Sequence, residues 1–293
     1  MQLPAALLTS LESVTGFDKD AFLKVHASGE QVTSIRINPS KIAESSKALS
    51  FGEGWGEVIP WTQYGFYLKE RPSFTFDPLF HAGCYYVQEA SSMFLEQALK
   101  QTVDLSKPLK ILDLCAAPGG KSTHIQSLIS KESLLVSNEV IKSRNNILKD
   151  NIIKWGCKNV VVTNNDPKDF ARLENYFDVI VVDAPCSGSG LFRKEPDAID
   201  YWSENNVQLC SQRQQRILAD VLPALKKDGV LIYSTCSYSR EEDEGIVSWM
   251  NEELQIADCK LQIEGRFNIV ESSHGYRFWP DKLKGEGVFY CSI

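Results

Sequence analysis

Leu112-Asp113-Leu114-Cys115-Ala116-Ala117-Pro118-Gly119-Gly120-Lys121-Ser122-Thr123 runs from an apolar strand through a loop of small residues into the start of a helix. Small residues let the backbone approach a ligand closely, the free amides of a helix start favour an anionic group, and Lys121 adds a positive charge. The loop has neither Gly-x-Gly-x-x-Gly nor the Walker spacing ahead of its Gly-Lys-Ser. NAD and ATP are therefore disfavoured, and S-adenosylmethionine is the expected ligand, its carboxylate in the Lys121 corner. Taken alone, such a turn is also what any tight βα connection uses.

Outward from this stretch the chain alternates regularly. Apolar runs at 109–114, 134–137, 160–163, 179–182 and 230–234 are separated by helical patterns such as 122–130 and 142–154. Runs buried on both faces belong to a parallel sheet covered by helices, which binds ligands beyond the carboxyl ends of its strands. Acidic residues stand at three successive ends. Glu139 closes the second strand about 20 residues after the glycines, where a carboxylate accepts from ribose hydroxyls. Asp166 closes the third and Asp183 the fourth. Singly, each also reads as an N-cap or loop carboxylate; the succession marks a nucleoside site.

Residues 1–105 are patterned differently. Helical periodicity at 7–11 and 17–25 gives way to a strand-like run at 33–38 and a Gly- and aromatic-rich stretch at 51–86. An amphipathic helix is expected at 87–100, with Val87, Ala90, Phe94 and Ala98 on one side. The chain thus divides into a smaller α+β accessory domain at 1–105 and an α/β domain at 106–293, whose final strand is expected at 287–291.

Two cysteines follow strand ends. Cys186 lies in Asp183-Ala184-Pro185-Cys186-Ser187-Gly188-Ser189-Gly190 after the fourth strand, and Cys236 in Ser234-Thr235-Cys236-Ser237 after the fifth. These strands are neighbours in a doubly wound sheet of methyltransferase type, so the thiols are expected to face each other across one crevice. A methyltransferase acting on a ring carbon must first make it nucleophilic, and addition of a thiolate to the adjacent carbon does so. A second thiol would assist release, so the pair points to cytosine methylation. An ordinary thiol, with pKa about 8.5, is only slightly ionised at neutral pH, so the nucleophile belongs near cations or helix-start amides. The helix expected after residues 237–239 supplies such amides near Cys236. Asp183 is placed to hydrogen-bond the edge of a cytosine or, when protonated, to donate to its ring nitrogen. The run Arg240-Glu241-Glu242-Asp243-Glu244 reads as capping and helix-dipole compensation.

Composition narrows the classes. The chain has 293 residues, 43% of them hydrophobic, enough for a full core. No run approaches the ~18 to 20 apolar residues of a membrane span, and the start lacks a cationic-then-apolar signal, so a cytoplasmic location is expected. The 8 cysteines form no Cys-x-x-Cys pair and do not cluster with the 4 histidines, so neither a metal site nor a disulfide framework is expected. A net charge of -7 is awkward for an RNA partner, because phosphate neutralisation supplies most non-specific affinity. Arg193 and Lys194, and Arg213 and Arg216, gather near the proposed site, although such short clusters also read as solvated faces.

Together these motifs resemble the Sun-type RNA (cytosine-5) methyltransferases, and within them the bacterial 16S ribosomal RNA methyltransferase F type. The likeness covers nearly the whole chain: residues 112–123, 183–190, 233–238, 33–38 and 83–92. It implies a Rossmann-like S-adenosylmethionine-dependent methyltransferase sheet with a smaller N-terminal α+β domain that contacts RNA. The cofactor would be held by Cys115, Ala116, Ala117, Pro118, Gly119, Gly120, Lys121, Glu139, Asp166 and Asp183, with Cys236, Cys186 and Asp183 catalytic. By the same resemblance Cys236 attacks carbon 6 of cytosine, carbon 5 takes the methyl group, and Cys186 helps the carbon 5 proton leave so that the thiolate is eliminated. DNA cytosine methyltransferases instead use a Pro-Cys cysteine as nucleophile, an analogy that exchanges the two roles; the Thr-Cys-Ser motif has no counterpart there, which favours Cys236.

The expected target is an unpaired or flipped-out cytosine in ribosomal RNA. Transfer RNA is the alternative substrate, and a non-catalytic RNA-binding assembly factor the alternative class, although a binder needs no second thiol. Relatives of this type continue beyond the point matching Ile293 into a further RNA-binding region, where part of the affinity and site choice is expected to reside. A monomer is expected.

Overall fold

The computed structural model describes residues 2–42, 56–255, 261–263 and 267–293. Residues 51–55 of the Gly- and aromatic-rich stretch, and Cys259, lie outside them. Two helices open the chain, α1 (Ala5–Leu11) and α2 (Lys19–Ala27). Asp18 caps α2, its carboxylate accepting from the Ala21 N–H at 3.1 Å. Their apolar stripe of Leu7, Leu11, Val14 and Phe22 packs against Phe192, Trp202, Tyr238 and Trp279. Phe192 and Tyr238 sit just past the two cysteines, so the first helices brace the loops of the α/β part.

Four short strands follow: β1 (Ser34–Ile37), β2 (Glu57–Val58), β3 (Gly65–Tyr67) and, after the single turn α3 (Pro78–His81), β4 (Tyr85–Val87). They form an antiparallel sheet in the order β2-β3-β1-β4. The helix expected at 87–100 is split. Val87 pairs with Ile35 in the sheet, a 3-10 turn spans Ser91–Phe94, and only α4 (Leu95–Thr102) is regular helix. The cause is Glu89, whose carboxylate accepts from the N–H groups of Ser91, Ser92 and Glu286 at 2.9, 2.8 and 2.9 Å and so fixes a turn there. Ala90, Phe94 and Ala98 are nonetheless fully buried; the apolar face was real, the continuous helix was not.

From residue 110 the alternation emerges as expected: β5 (Lys110–Asp113), α5 (Gly120–Leu128), β6 (Leu134–Asn138), α6 (Lys142–Trp155), β7 (Val160–Thr163), β8 (Phe177–Asp183), α7 (Glu204–Val221), β9 (Leu225–Thr235) and α8 (Glu244–Glu253). Three further strands, β10 (Val270–Glu271), β11 (Tyr276–Phe278) and β12 (Val288–Ser292), complete an eight-stranded sheet in the order β10-β11-β12-β9-β8-β5-β6-β7. The five strands from β9 to β7 are parallel and the last three join antiparallel. Strand order reverses between β5 and β8, which makes their carboxyl ends the switch-point crevice. Buried apolar residues on both faces, Ile111 and Val181 on one and Leu112, Ile180 and Val182 on the other, hold the helices to the sheet.

Arg36 of β1 joins the two sheets. It is fully buried and donates to Gln88 Oε1 (2.8 Å), Thr123 Oγ1 (2.6 Å), Ser127 Oγ (3.2 Å) and the Gly120 carbonyl (3.3 Å), with its guanidinium over the Trp155 ring at 4.6 Å. The small sheet is thereby fastened to the first turns of α5, the helix that begins at the glycine-rich loop.

Candidate active site

The loop between β5 and α5 is pinned from three sides. The Ala116 N–H donates to the Asn138 carbonyl (2.8 Å), Arg144 Nη2 to the Ala117 carbonyl (2.8 Å) and Asn151 Nδ2 to the Pro118 carbonyl (2.8 Å). Gly119 has φ +113°, a conformation that side chains rarely take, and an added Cβ would press on Leu148 at 3.2 Å. Glu139 ends β6 buried, one oxygen accepting from the Ile141 N–H (2.9 Å) and the other 3.4 Å from Arg144. Asp166 ends β7 two strands away, where its carboxylate accepts from the Lys168 N–H (3.2 Å) and caps the turn Pro167–Arg172, completing a capping box with Asp169.

Lys121 is paired with Asp183 at the edge of the loop. Its Nζ lies 2.8 Å from Asp183 Oδ2, while Ser234 Oγ donates to Asp183 Oδ1 at 2.9 Å. Burial works against the Lys121 ammonium, but Asp183 and Tyr290 override it and its pKa is raised. Beneath the pair, Asp113 is fully buried and accepts from Ser122 Oγ at 2.6 Å. Burial pushes its carboxyl up to about 7, Ser122 opposing and the Asp183 charge reinforcing the shift.

Asp183 pairs with Ser234 in the parallel register of β8 and β9. That register brings the two cysteine loops together: Cys186 Sγ lies 3.0 Å from Cys236 Sγ. The backbones also touch, the Gly190 N–H donating to the Cys236 carbonyl at 2.9 Å, and a Cβ on Gly190 would come 2.8 Å from that oxygen. The Cys186 thiol is raised well above the ordinary thiol range, first by its hydrogen bond to Cys236, then by burial and by the charge of Glu242. Both cysteines are half-buried and unbridged.

The acidic run after Cys236 is not a solvated cap. Glu242 and Asp243 are fully buried and Glu244 nearly so. Glu242 accepts from the Ser187 N–H (2.8 Å), Ser187 Oγ (2.5 Å), Ser237 Oγ (2.7 Å) and Gln214 Nε2 (3.1 Å). Asp243 accepts from Thr235 Oγ1 (2.6 Å), and Arg277 of β11 forks onto Glu244 at 2.6 and 2.5 Å while reaching Asp243 at 3.0 Å. Sequence reading missed this network. The available signal was four carboxylates in a row, Glu241 to Glu244, more than one helix start needs.

Among the clustered cations, Arg193 is also internal: its side chain is 6% exposed and donates to the carbonyls of Gly285 (3.1 Å) and Glu30 (2.8 Å). Lys194, Arg213 and Arg216 are exposed. Among the described residues there is no group of three His, Cys, Asp or Glu side chains able to hold a metal ion, and no helix is long and apolar enough to cross a membrane.

A doubly wound sheet with a small-residue loop at its switch point and two thiols beside it defines a methyltransferase-type architecture, and comparison with known proteins gives the family. Residues 100–293 match the family described as 16S rRNA methyltransferase RsmB/F, and residues 3–90 the N-terminal domain of 16S rRNA methyltransferase RsmF. The chain belongs to this methyltransferase family. It is 39% identical over 272 residues to ribosomal RNA small subunit methyltransferase F of Pectobacterium atrosepticum, covering 89% of this chain and 56% of that relative. It thus spans little more than half the length of such relatives. The crystal structure of PH0851 matches with a TM-score of 0.87 at 25% identity, over 99% of this chain and 65% of that one. NSun6 from Pyrococcus horikoshii, solved with SFG, matches with a TM-score of 0.78 at 20% identity, over 99% and 97%.

Proposed function

We propose that this chain methylates carbon 5 of a cytosine in RNA, with 16S ribosomal RNA the substrate, through a covalent bond between Cys236 Sγ and carbon 6. The observation that supports the reading most is the 3.0 Å approach of Cys186 and Cys236 at the carboxyl ends of neighbouring strands. S-adenosylmethionine, when bound, supplies an electrophilic methyl group. Residues 115–121, Glu139, Asp166 and Asp183 would hold it; the fit rests on a loop stripped of side chains at Gly119 and Gly120 and on carboxylates at successive strand ends.

In this reading the Cys236 thiolate adds to carbon 6, which makes carbon 5 nucleophilic. Carbon 5 then takes the methyl group. Cys186, held protonated at rest against Cys236, relays the carbon 5 proton to solvent by giving up its own S–H proton and taking the carbon 5 proton in its place, and the electrons of the broken C–H bond expel Cys236 as a thiolate. Asp183, between the loop and the cysteines, fits an acceptor for the cytosine edge.

The test is transfer of labelled methyl from S-adenosylmethionine to unmethylated small-subunit ribosomal RNA and, in parallel, to transfer RNA, with bisulfite mapping of the product. Label at one cytosine of the ribosomal RNA is the expected outcome. Label confined to transfer RNA would replace the substrate, and cofactor binding without label on either would mean that RNA engagement requires the further region that relatives carry, or that the chain is an assembly factor.

A further inference from the structure

Glu242 is a buried carboxylate whose four donors come from three elements. Its Oε1 accepts from the Ser187 N–H and from Gln214 Nε2, and its Oε2 from Ser187 Oγ and Ser237 Oγ. Ser187 follows Cys186 and Ser237 follows Cys236. Gln214, on α7, uses the same amide nitrogen to reach the Pro185 carbonyl at 3.1 Å, so the residue before Cys186 is held as well. The carboxylate is itself fixed, the Glu242 N–H donating to the Ser239 carbonyl (3.1 Å) and its own carbonyl accepting from Tyr233 Oη (2.7 Å).

A buried charge is a poor way to gain stability, since apolar side chains of similar volume often serve as well or better. What a carboxylate with four donors gives is geometry. Beside it, the loops after β8 and β9 are joined by the Gly190 to Cys236 backbone bond, by the Tyr238 N–H donating to Ser189 Oγ at 2.9 Å and by weaker contacts of Ser237 Oγ with Ser187 and Ser189 at 3.3 and 3.5 Å. The Glu242 carboxylate alone takes Ser187 and Ser237, the residues next to the two cysteines, in bonds of 2.5 to 2.8 Å.

We propose that Glu242 is a positioning residue that sets the spacing of Cys186 and Cys236 by clamping Ser187 and Ser237 to one carboxylate. For its kinetic consequence the proposal rests on the reading of the two thiols given above; for the spacing itself it does not. Glu242→Gln keeps the shape: its amide oxygen can accept from the Ser187 N–H and Gln214, and its NH2 can donate to the Ser187 and Ser237 hydroxyls once these turn to accept. Glu242→Ala removes these bonds, and misplacement by about 1 Å costs on the order of 10²-fold in rate.

The experiment uses the full chain and two readouts. Phenylarsine oxide, which bridges neighbouring thiols, is tested for its ability to shield Cys186 and Cys236 from iodoacetamide, read by peptide mass. Methyl transfer to small-subunit ribosomal RNA is measured alongside for kcat, KM and cofactor affinity. Glu242→Ala is expected to lose joint shielding and about 10²-fold in kcat, with KM and cofactor affinity within about twofold, and Glu242→Gln to restore both. Shielding and kcat retained in Glu242→Ala would overturn the proposal, as would Glu242→Gln failing to rescue either. Should Glu242→Ala lack a cooperative thermal transition, Ser237→Ala, which removes one of the four donors, is read in its place with a smaller effect in the same direction. If the unaltered chain transfers no methyl group, the shielding result still decides the spacing, so failure of the two readings is told apart.

Discussion

Asp113 carries a cost that depends on pH. Its carboxyl is raised to about 7 in the folded chain by burial, against an ordinary value of 3.8. Between those values the native state holds a proton that the unfolded state has lost, so its contribution to stability is present below about pH 4 and is lost as pH rises through 7. Asp113→Asn removes this dependence. Urea unfolding from pH 4 to 8 should therefore show the unaltered protein losing ground to Asp113→Asn across that window and running parallel to it above. At Gly190 the argument is steric: Gly190→Ala pushes a methyl group into the Gly287 and Cys236 carbonyls and should cost about 1–3 kcal/mol in denaturant unfolding. The two cysteines and the small-residue loop were legible in the sequence because each follows an apolar run by a few residues. Glu242 was not, since its four donors come from Ser187, Gln214 and Ser237 and no local pattern reports them.

At the level of elements, the start of α8 depends on β11. Arg277 is buried and paired with Asp243 and Glu244, and removing one member of such a group leaves uncompensated charge in the interior. Arg277→Leu should lower the unfolding free energy by about 3–5 kcal/mol, measured in urea; a loss below about 1 kcal/mol would mean that the carboxylates find other partners. The parallel strands were readable because burial on both faces leaves a continuous apolar run. β4 was hidden inside a helical period, because Val87, Ala90, Phe94 and Ala98 are apolar for three different reasons, a strand, a turn and a helix. The turn at Glu89 is fixed in part by Glu286, a partner nearly 200 residues away.

Across the whole molecule, the parallel strands run in the order β9-β8-β5-β6-β7, the doubly wound arrangement that alternating strands and helices led one to expect. Of the small sheet only β1 was legible, in the strand-like run at 33–38, because its strands are two to four residues long, too short to show a period. Nor did the sequence indicate that α1 and α2 pack beneath the cysteine loops, where Phe22 meets Tyr238 edge-on at 5.1 Å and Tyr238 stacks on Trp279 at 5.1 Å. A chain lacking residues 2–27 should keep S-adenosylmethionine affinity, read by calorimetry, yet lose methyl transfer, because Tyr238 follows Cys236 by two residues and would lose its support.

The division of labour between the two thiols is tested most directly by trapping the covalent adduct. Cys186→Ala and Cys236→Ala are each incubated with small-subunit ribosomal RNA and S-adenosylmethionine, then resolved under denaturing conditions. Cys186→Ala is predicted to accumulate a protein–RNA band that survives denaturation, and Cys236→Ala to give neither band nor 5-methylcytosine. Methylation by the Cys236 variant, or a band formed only by that variant, would contradict the account.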